Sequence, residues 1–202
     1  MNAMMKNLLT ICLAFATLNV LAQADFDKNL ATAKSSYASG NLEDARFAMQ
    51  QMLTEIDLKI GKEVLKLLPA KMDALASNAK TDQVTPNTGL AGVLIHREYG
   101  VGEKRQYIDV MSNSPIVASL NTILSLPMIG NSGDGSQKTV KVQGYKGVLQ
   151  RTDDPDTNTS SFTLQIPLNS TLVSFNVPAS TETDVLRLAN TIPLAQIAKL
   201  LQ

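Results

Sequence analysis

Phe162-Thr-Leu-Gln-Ile-Pro-Leu-Asn169 decides the fold. Phe162, Leu164, Ile166 and Leu168 alternate with Thr163, Gln165, Pro167 and Asn169, the period-two pattern of a strand with one buried face. Pro167 places that strand end at an edge or irregularity. Val173, Phe175 and Val177 form the next strand. Upstream, Thr139–Gln143 and Tyr145–Arg151 read as strands, with Gly144 and Gly147 at a bulge or bend, and Asp153-Asp154-Pro155-Asp156 as a turn. Further back, Val93, Ile95 and Tyr99 share one strand face. Gly100-Val101-Gly102-Glu103 is a turn, and Arg105–Met111 returns with Ile108 and Val110 on one face, so this pair is a β-hairpin.

Outside these strands the period is helical. Phe26, Leu30, Ala33 and Tyr37 fit one helix. Gly40 fits the left-handed position just past its end, and Asn41 caps the next helix with Asp44 in its first turn. Ala45, Met49, Met52, Ile56, Ile60, Val64 and Leu67 make an apolar stripe, Gly61 marks a bend, and Pro69 ends the pattern. Ser114-Pro115 reads as a helix start, with Ile116, Val117, Leu120, Ile123 and Leu124 inward. A C-terminal helical stretch begins near Ser180–Thr183 and is interrupted at Pro193. Its inner face is Val185, Leu186, Leu188, Ala189, Ile192, Ile197 and Leu200. Sustained βαβ alternation is absent. The expected fold is therefore α+β: an N-terminal helical hairpin over residues 25–69, a linker over 70–88, and a mainly antiparallel sheet packed with helices over 89–202.

Residues 1–24 read as a secretory signal peptide: Lys6, the apolar run from Leu8 to Leu21, then Ala22-Gln23-Ala24. The apolar run is shorter than the roughly 20 residues that span a bilayer, so cleavage before Asp25 is expected, with a secreted or periplasmic product and no stable membrane insertion. Cys12 is the only cysteine of the chain, and its loss leaves no disulfide, thiolate nucleophile or Cys-ligated metal. The 18 basic and 18 acidic residues balance, without the basic footprint of a nucleic-acid binder. Lys59, Lys62, Lys66 and Lys71 form a solvated helix face. The sequons Asn158-Thr159-Ser160 and Asn169-Ser170-Thr171 matter only in a host that glycosylates exported chains.

The sequence nominates no catalytic, cofactor-binding or metal-ligating residue. His96 is the only histidine. As a general base it would take Glu98 or Asp109 as orienter, but no Gly-x-Ser-x-Gly elbow accompanies it. A solvated strand histidine is the reading adopted, with a small hydrolase using His96 as the alternative. Asp154-x-Asp156-x-Asn158 has the spacing of three calcium ligands, but Thr159 replaces the required glycine and Gln165 the bidentate Glu, so it reads as a hairpin turn. Gly130-Asn131-Ser132-Gly133-Asp134-Gly135 lacks the ending of a phosphate loop and follows a helix, so it reads as a connector.

Ala33-x-x-x-Tyr37-x-x-Gly40-Asn41-x-x-x-Ala45 resembles the turn between the helices of a tetratricopeptide repeat, over one hairpin, with no second copy at that family's period of about 34 residues. Asp109-Val-Met-Ser-Asn-Ser-Pro115, Val142-Gln-Gly-Tyr-Lys-Gly147 and Leu164–Asn169 together resemble a loose group of uncharacterised exported bacterial proteins. The element order is similar to the Mog1/PsbP-type α/β/α sandwich, whose members are mostly non-catalytic binding or assembly factors. The resemblance and the residues together imply an envelope binding or assembly module. Its expected partner is another envelope protein, met through the helical hairpin, and no cofactor is expected.

Overall fold

The computed structural model describes residues 25–87, 92–125 and 135–201. The expected signal peptide, residue 88 of the expected linker, and residues 130–134 of the glycine-rich connector lie outside them. The chain divides into two compact units between Ile56 and Asp57. The boundary falls inside the long helix α2, Leu42–Leu67, and each unit is described by itself.

The first unit is a helical hairpin of α1 (residues 25–38) and the start of α2. Its turn follows the sequence. Gly40 takes φ +79°, and Asn41 N–H donates to the Ser36 carbonyl at 2.8 Å, closing the end of α1. Asn41 Oδ1 then accepts from the Asp44 amide at 3.3 Å, and Asn41 Nδ2 donates to Asp44 Oδ2 at 2.6 Å. Ala33, Ala45 and Ala48 are buried where the helices meet. The expected stripe needs correction here, because Met49 and Ile56 are exposed. Small side chains at a crossing let two helix axes approach closely, and the crossing uses Ala48 rather than the bulkier Met49 beside it.

The second unit, from Asp57 onward, is built on a seven-stranded antiparallel sheet. Its strands are β3 (Gln83–Pro86), β4 (Val93–Tyr99), β5 (Gln106–Met111), β6 (Gln137–Val142), β7 (Tyr145–Asp154), β8 (Thr159–Leu168) and β9 (Thr171–Val177), in the order β3-β4-β5-β9-β8-β7-β6. A two-residue hairpin, β1 (Lys71–Met72) with β2 (Leu75–Ala76), precedes them. The chain is therefore α+β, a helical hairpin followed by an antiparallel sheet packed with helices.

Within the expected linker over 70–88, residues 70–87 are more structured than their sequence suggests. β3 pairs with β4 from Gln83 opposite His96 to Pro86 opposite Val93. It is an edge strand, where proline is tolerated and polar residues face water. Four such residues are too few to show a period. Arg97 pins the same stretch: Nη2 and Nε bind the two Asp82 carboxylate oxygens at 2.6 and 3.0 Å, and Nη1 donates to the Leu68 carbonyl at 3.0 Å.

Alternation divides the sheet residues cleanly. Ile95, Ile108, Val110, Phe162, Leu164, Ile166, Leu168, Val173, Phe175 and Val177 point to one face and join the main core. Val64 and Leu68 come from the end of α2 and just beyond it. Val185, Leu188 and Ala189 come from α4 (Glu182–Ala189), and Leu194, Ile197 and Ala198 from α5 (Leu194–Leu200). Thr181 caps α4, its hydroxyl accepting from the Asp184 amide. The expected inner residue Leu200 is instead 38% exposed, and Leu201 is buried in its place.

Gly61 does not bend α2, which runs unbroken through it. A Cβ there would lie 2.6 Å from Val84 Cγ1 and 2.7 Å from Val93 Cγ2, so glycine lets the helix seat closely on β3 and β4. On the opposite face α3 (Val117–Ser125) buries Val117, Leu120 and Leu124 against Val148 and Leu172. The expected serine cap of α3 does not form. Ser114 Oγ is buried with no partner among the described residues, and the helix starts at Val117. The Ser114 amide donates to the Ser170 carbonyl at 2.9 Å, and the Ser114 carbonyl accepts from the Val117 amide at 3.3 Å, so the backbone rather than the side-chain hydroxyl ties this residue to the start of α3.

Candidate functional site

His96 sits on β4 opposite Asp109 of β5, and Glu98 sits opposite Tyr107. All four lie on the sheet face away from the main core, as the alternation of β4 implies. His96 Nδ1 is 2.6 Å from Asp109 Oδ1, and Nε2 is 3.4 Å from Glu98 Oε1. Arg105 Nη1 reaches the same Glu98 oxygen at 3.3 Å, and the Tyr107 ring packs against the imidazole with centroids 5.6 Å apart. Glu98 is 9% exposed. The reading of His96 as a solvated side chain is corrected: it bridges two carboxylates, because pairing β4 with β5 places an acid on each side of it.

This arrangement limits the chemistry. A general base must offer one ring nitrogen to the proton it takes. Here each nitrogen faces a carboxylate, and among the described residues neither is turned to a serine, threonine or tyrosine hydroxyl. The cluster suits a structural role: one short hydrogen bond joins His96 to Asp109, and ion-pair contacts from His96 and Arg105 offset the burial of Glu98. Along the same face Asn176 Nδ2 donates to Thr163 Oγ1 at 3.0 Å, extending a polar surface across β9 and β8.

The other sequence candidates separate from this cluster. Asp154 Oδ1 accepts from the amides of Asp156 and Thr157 at 2.9 and 3.4 Å. Its carboxylate therefore builds the β7–β8 turn. Bonds from the Thr157 hydroxyl and these amides hold Asp154 below the ordinary carboxylate pKa. Among the described residues no group of three or more His, Cys, Asp or Glu is placed to hold a metal ion. No described helix is long and apolar enough to cross a membrane.

Two features escaped sequence reading. The first is the Arg97–Asp82 pair, whose hydrogen bonds push the guanidinium pKa up. Beside it the Tyr99 hydroxyl is buried close to the Arg97 guanidinium, and desolvation drives its pKa up as well. The second is the outside of the helical hairpin. Tyr37, Leu42 and Phe47 are 68%, 62% and 62% exposed, and Leu53, Met49 and Ile56 are exposed too. A helical wheel shows that these residues are apolar, but it does not show which face the alanine crossing leaves outside.

Comparison with protein-family models, with curated proteins and with solved structures finds no match.

Proposed function

We propose that this chain is an exported, non-catalytic binding or assembly module of the bacterial envelope, meeting another envelope protein through its helical hairpin. One observation carries the reading. The hairpin buries alanines and exposes Tyr37, Leu42, Phe47, Met49, Leu53 and Ile56. An ordinary surface helix does the reverse; Leu42, Met49, Leu53 and Ile56 recur at helical spacing along one side of α2, and an exposed apolar stripe of this kind marks a protein-interaction surface. The Lys6-to-Ala24 succession supports export, and the engagement of both His96 nitrogens with carboxylates weighs against a catalytic role for the one histidine.

The test is a pair of substitutions, Leu42→Glu with Leu53→Glu, compared with the unaltered protein in quantitative co-purification from the envelope fraction. Both positions are more than half exposed, so thermal unfolding should hardly change while a co-purifying partner is lost. Retention of the same partner at the same stoichiometry by the double variant would count against the hairpin as the contact surface.

A further inference from the structure

The chain carries two asparagine sequons, Asn158-Thr159-Ser160 and Asn169-Ser170-Thr171, and the fold treats them differently. Both asparagines are exposed at hairpin turns, so exposure of the amide does not choose between them. A sequon is defined as much by the hydroxyl two residues on as by the asparagine. A transferase therefore has to reach both groups.

At the second sequon the hydroxyl is out of reach. Thr171 is fully buried, and its Oγ1 donates to the Leu201 carbonyl at 3.5 Å. It opens β9, opposite Leu168 of β8, and both strands are interior to the sheet. Freeing Thr171 means parting two strands that carry the main core, an opening that approaches global unfolding in cost.

The first sequon stands on a tip that the sheet does not hold. The β6–β7 ladder ends at Gln137 opposite Gln150, and the β8–β9 ladder begins at Phe162 opposite Val177. The three rungs beyond, Thr152 opposite Ser161, Asp153 opposite Ser160 and Asp154 opposite Thr159, pair β7 with β8 only. A two-stranded ribbon is marginal in water by itself, and such ends open at the lowest free energy. Asn158 and Thr159 are exposed. The Ser160 hydroxyl donates to Asp153 Oδ1 at 2.6 Å and accepts from Arg151 Nε at 3.2 Å. Both partner side chains are exposed, so water replaces these bonds when the tip opens. The Ser180 amide, which donates to the Ser160 carbonyl at 2.9 Å, marks where opening stops.

We propose that Asn158 is the acceptor of an N-linked glycan added to the folded chain, and that Asn169 is closed to the same reaction once the chain has folded. The donor class is an oligosaccharide carried on a polyprenyl diphosphate. Asn158 Nδ2 forms the bond to C1 of the first sugar and gives up one proton. The bond from C1 to the diphosphate oxygen breaks, and the polyprenyl diphosphate leaves with that electron pair. The setting in the cell rests on the export reading, whereas the acceptor chemistry does not.

The test incubates the purified, folded protein with a bacterial single-subunit oligosaccharyltransferase and a polyprenyl-diphosphate-linked oligosaccharide. Intact mass and peptide mapping read the product. The expected result is one glycan per chain, at Asn158. Asn158→Gln and Ser160→Ala should each abolish the added mass, and Ser160→Thr, which keeps the hydroxyl, should retain it; circular dichroism checks that each variant is folded. Pro167→Glu gives Asn169 an acid two residues before it, as Asp156 stands before Asn158, and the folded variant should still leave Asn169 unmodified. No glycan at Asn158, a glycan that survives Ser160→Ala, or a glycan at Asn169 in either folded chain would overturn the proposal. Fractionation of the cell tests export separately, so failure of export is not mistaken for failure of transfer.

Discussion

Replacing Asp82 with alanine should cost far more than its place in a loop-like stretch suggests. Asp82 and Arg97 side chains are 12% and 13% exposed and meet through two bonds of 2.6 and 3.0 Å. An exposed pair contributes about 0–1 kcal/mol, whereas removing one partner of a buried pair costs about 3–5 kcal/mol because the other charge is left without compensation. Arg97 would keep its bond to the Leu68 carbonyl, which places the expected loss near the lower end, about 3 kcal/mol. Against a typical domain stability of about 5–15 kcal/mol, that is a large fraction. Urea unfolding followed by circular dichroism should show a lower midpoint with unchanged slope. The double variant Asp82→Leu with Arg97→Met should recover much of the loss, since an apolar pair removes both desolvated charges. A cost below about 1 kcal/mol for Asp82→Ala would refute the claim that residues 70–87 are anchored by a buried ion pair.

Three further outcomes follow from named contacts. Gly61→Ala gains up to about 1 kcal/mol of helix propensity, but its Cβ would sit 2.6–2.7 Å from Val84 and Val93 methyl carbons, and overpacking costs about 1–3 kcal/mol. Net destabilisation is expected in urea unfolding, and a stabilised variant would show that α2 is not seated that closely. His96→Ala should lower stability by about 1–3 kcal/mol, because Glu98 and Asp109 lose their shared partner; an unchanged unfolding midpoint would contradict that structural role. Bonds from the Thr181 hydroxyl and Arg187 hold the Asp184 carboxyl below the ordinary carboxylate pKa. A depressed native pKa contributes stability above the unfolded value near 4 and loses it as pH falls through the lowered native value. The melting-temperature difference between the unaltered protein and Asp184→Asn should therefore be present at pH 7 and shrink below about pH 4, and a difference that grows in acid would reverse the sign argued here.

The long strands were legible because their burial has two sides. Phe162 to Leu168 alternates inside against outside, and the structure buries each of its four apolar residues. The capping of α2 by Asn41 and of α4 near Thr181 was legible for a local reason, since a side chain and an amide three residues on settle it. What failed depends on distant chain. β3 is a strand only because β4 offers it an edge, and Gly61 is a contact point only because Val84 and Val93 arrive beneath it. Met49 was misjudged because helical periodicity gives a stripe without saying how wide the crossing is. At the histidine, the sequence supplied Glu98 and Asp109 as neighbours. Only the β4–β5 register shows that both nitrogens are engaged at once.

Site-specific photo-crosslinking in the cell tests the central claim most directly, with the photoreactive residue placed in turn at Leu42, Met49 and Leu53, exposed on one side of α2, and, as a control, at the exposed Lys141 of β6. The account predicts one discrete adduct of common mass from the three hairpin positions and none from position 141. Equal adducts at all four positions, or none at the hairpin while the protein is folded and present, would contradict it.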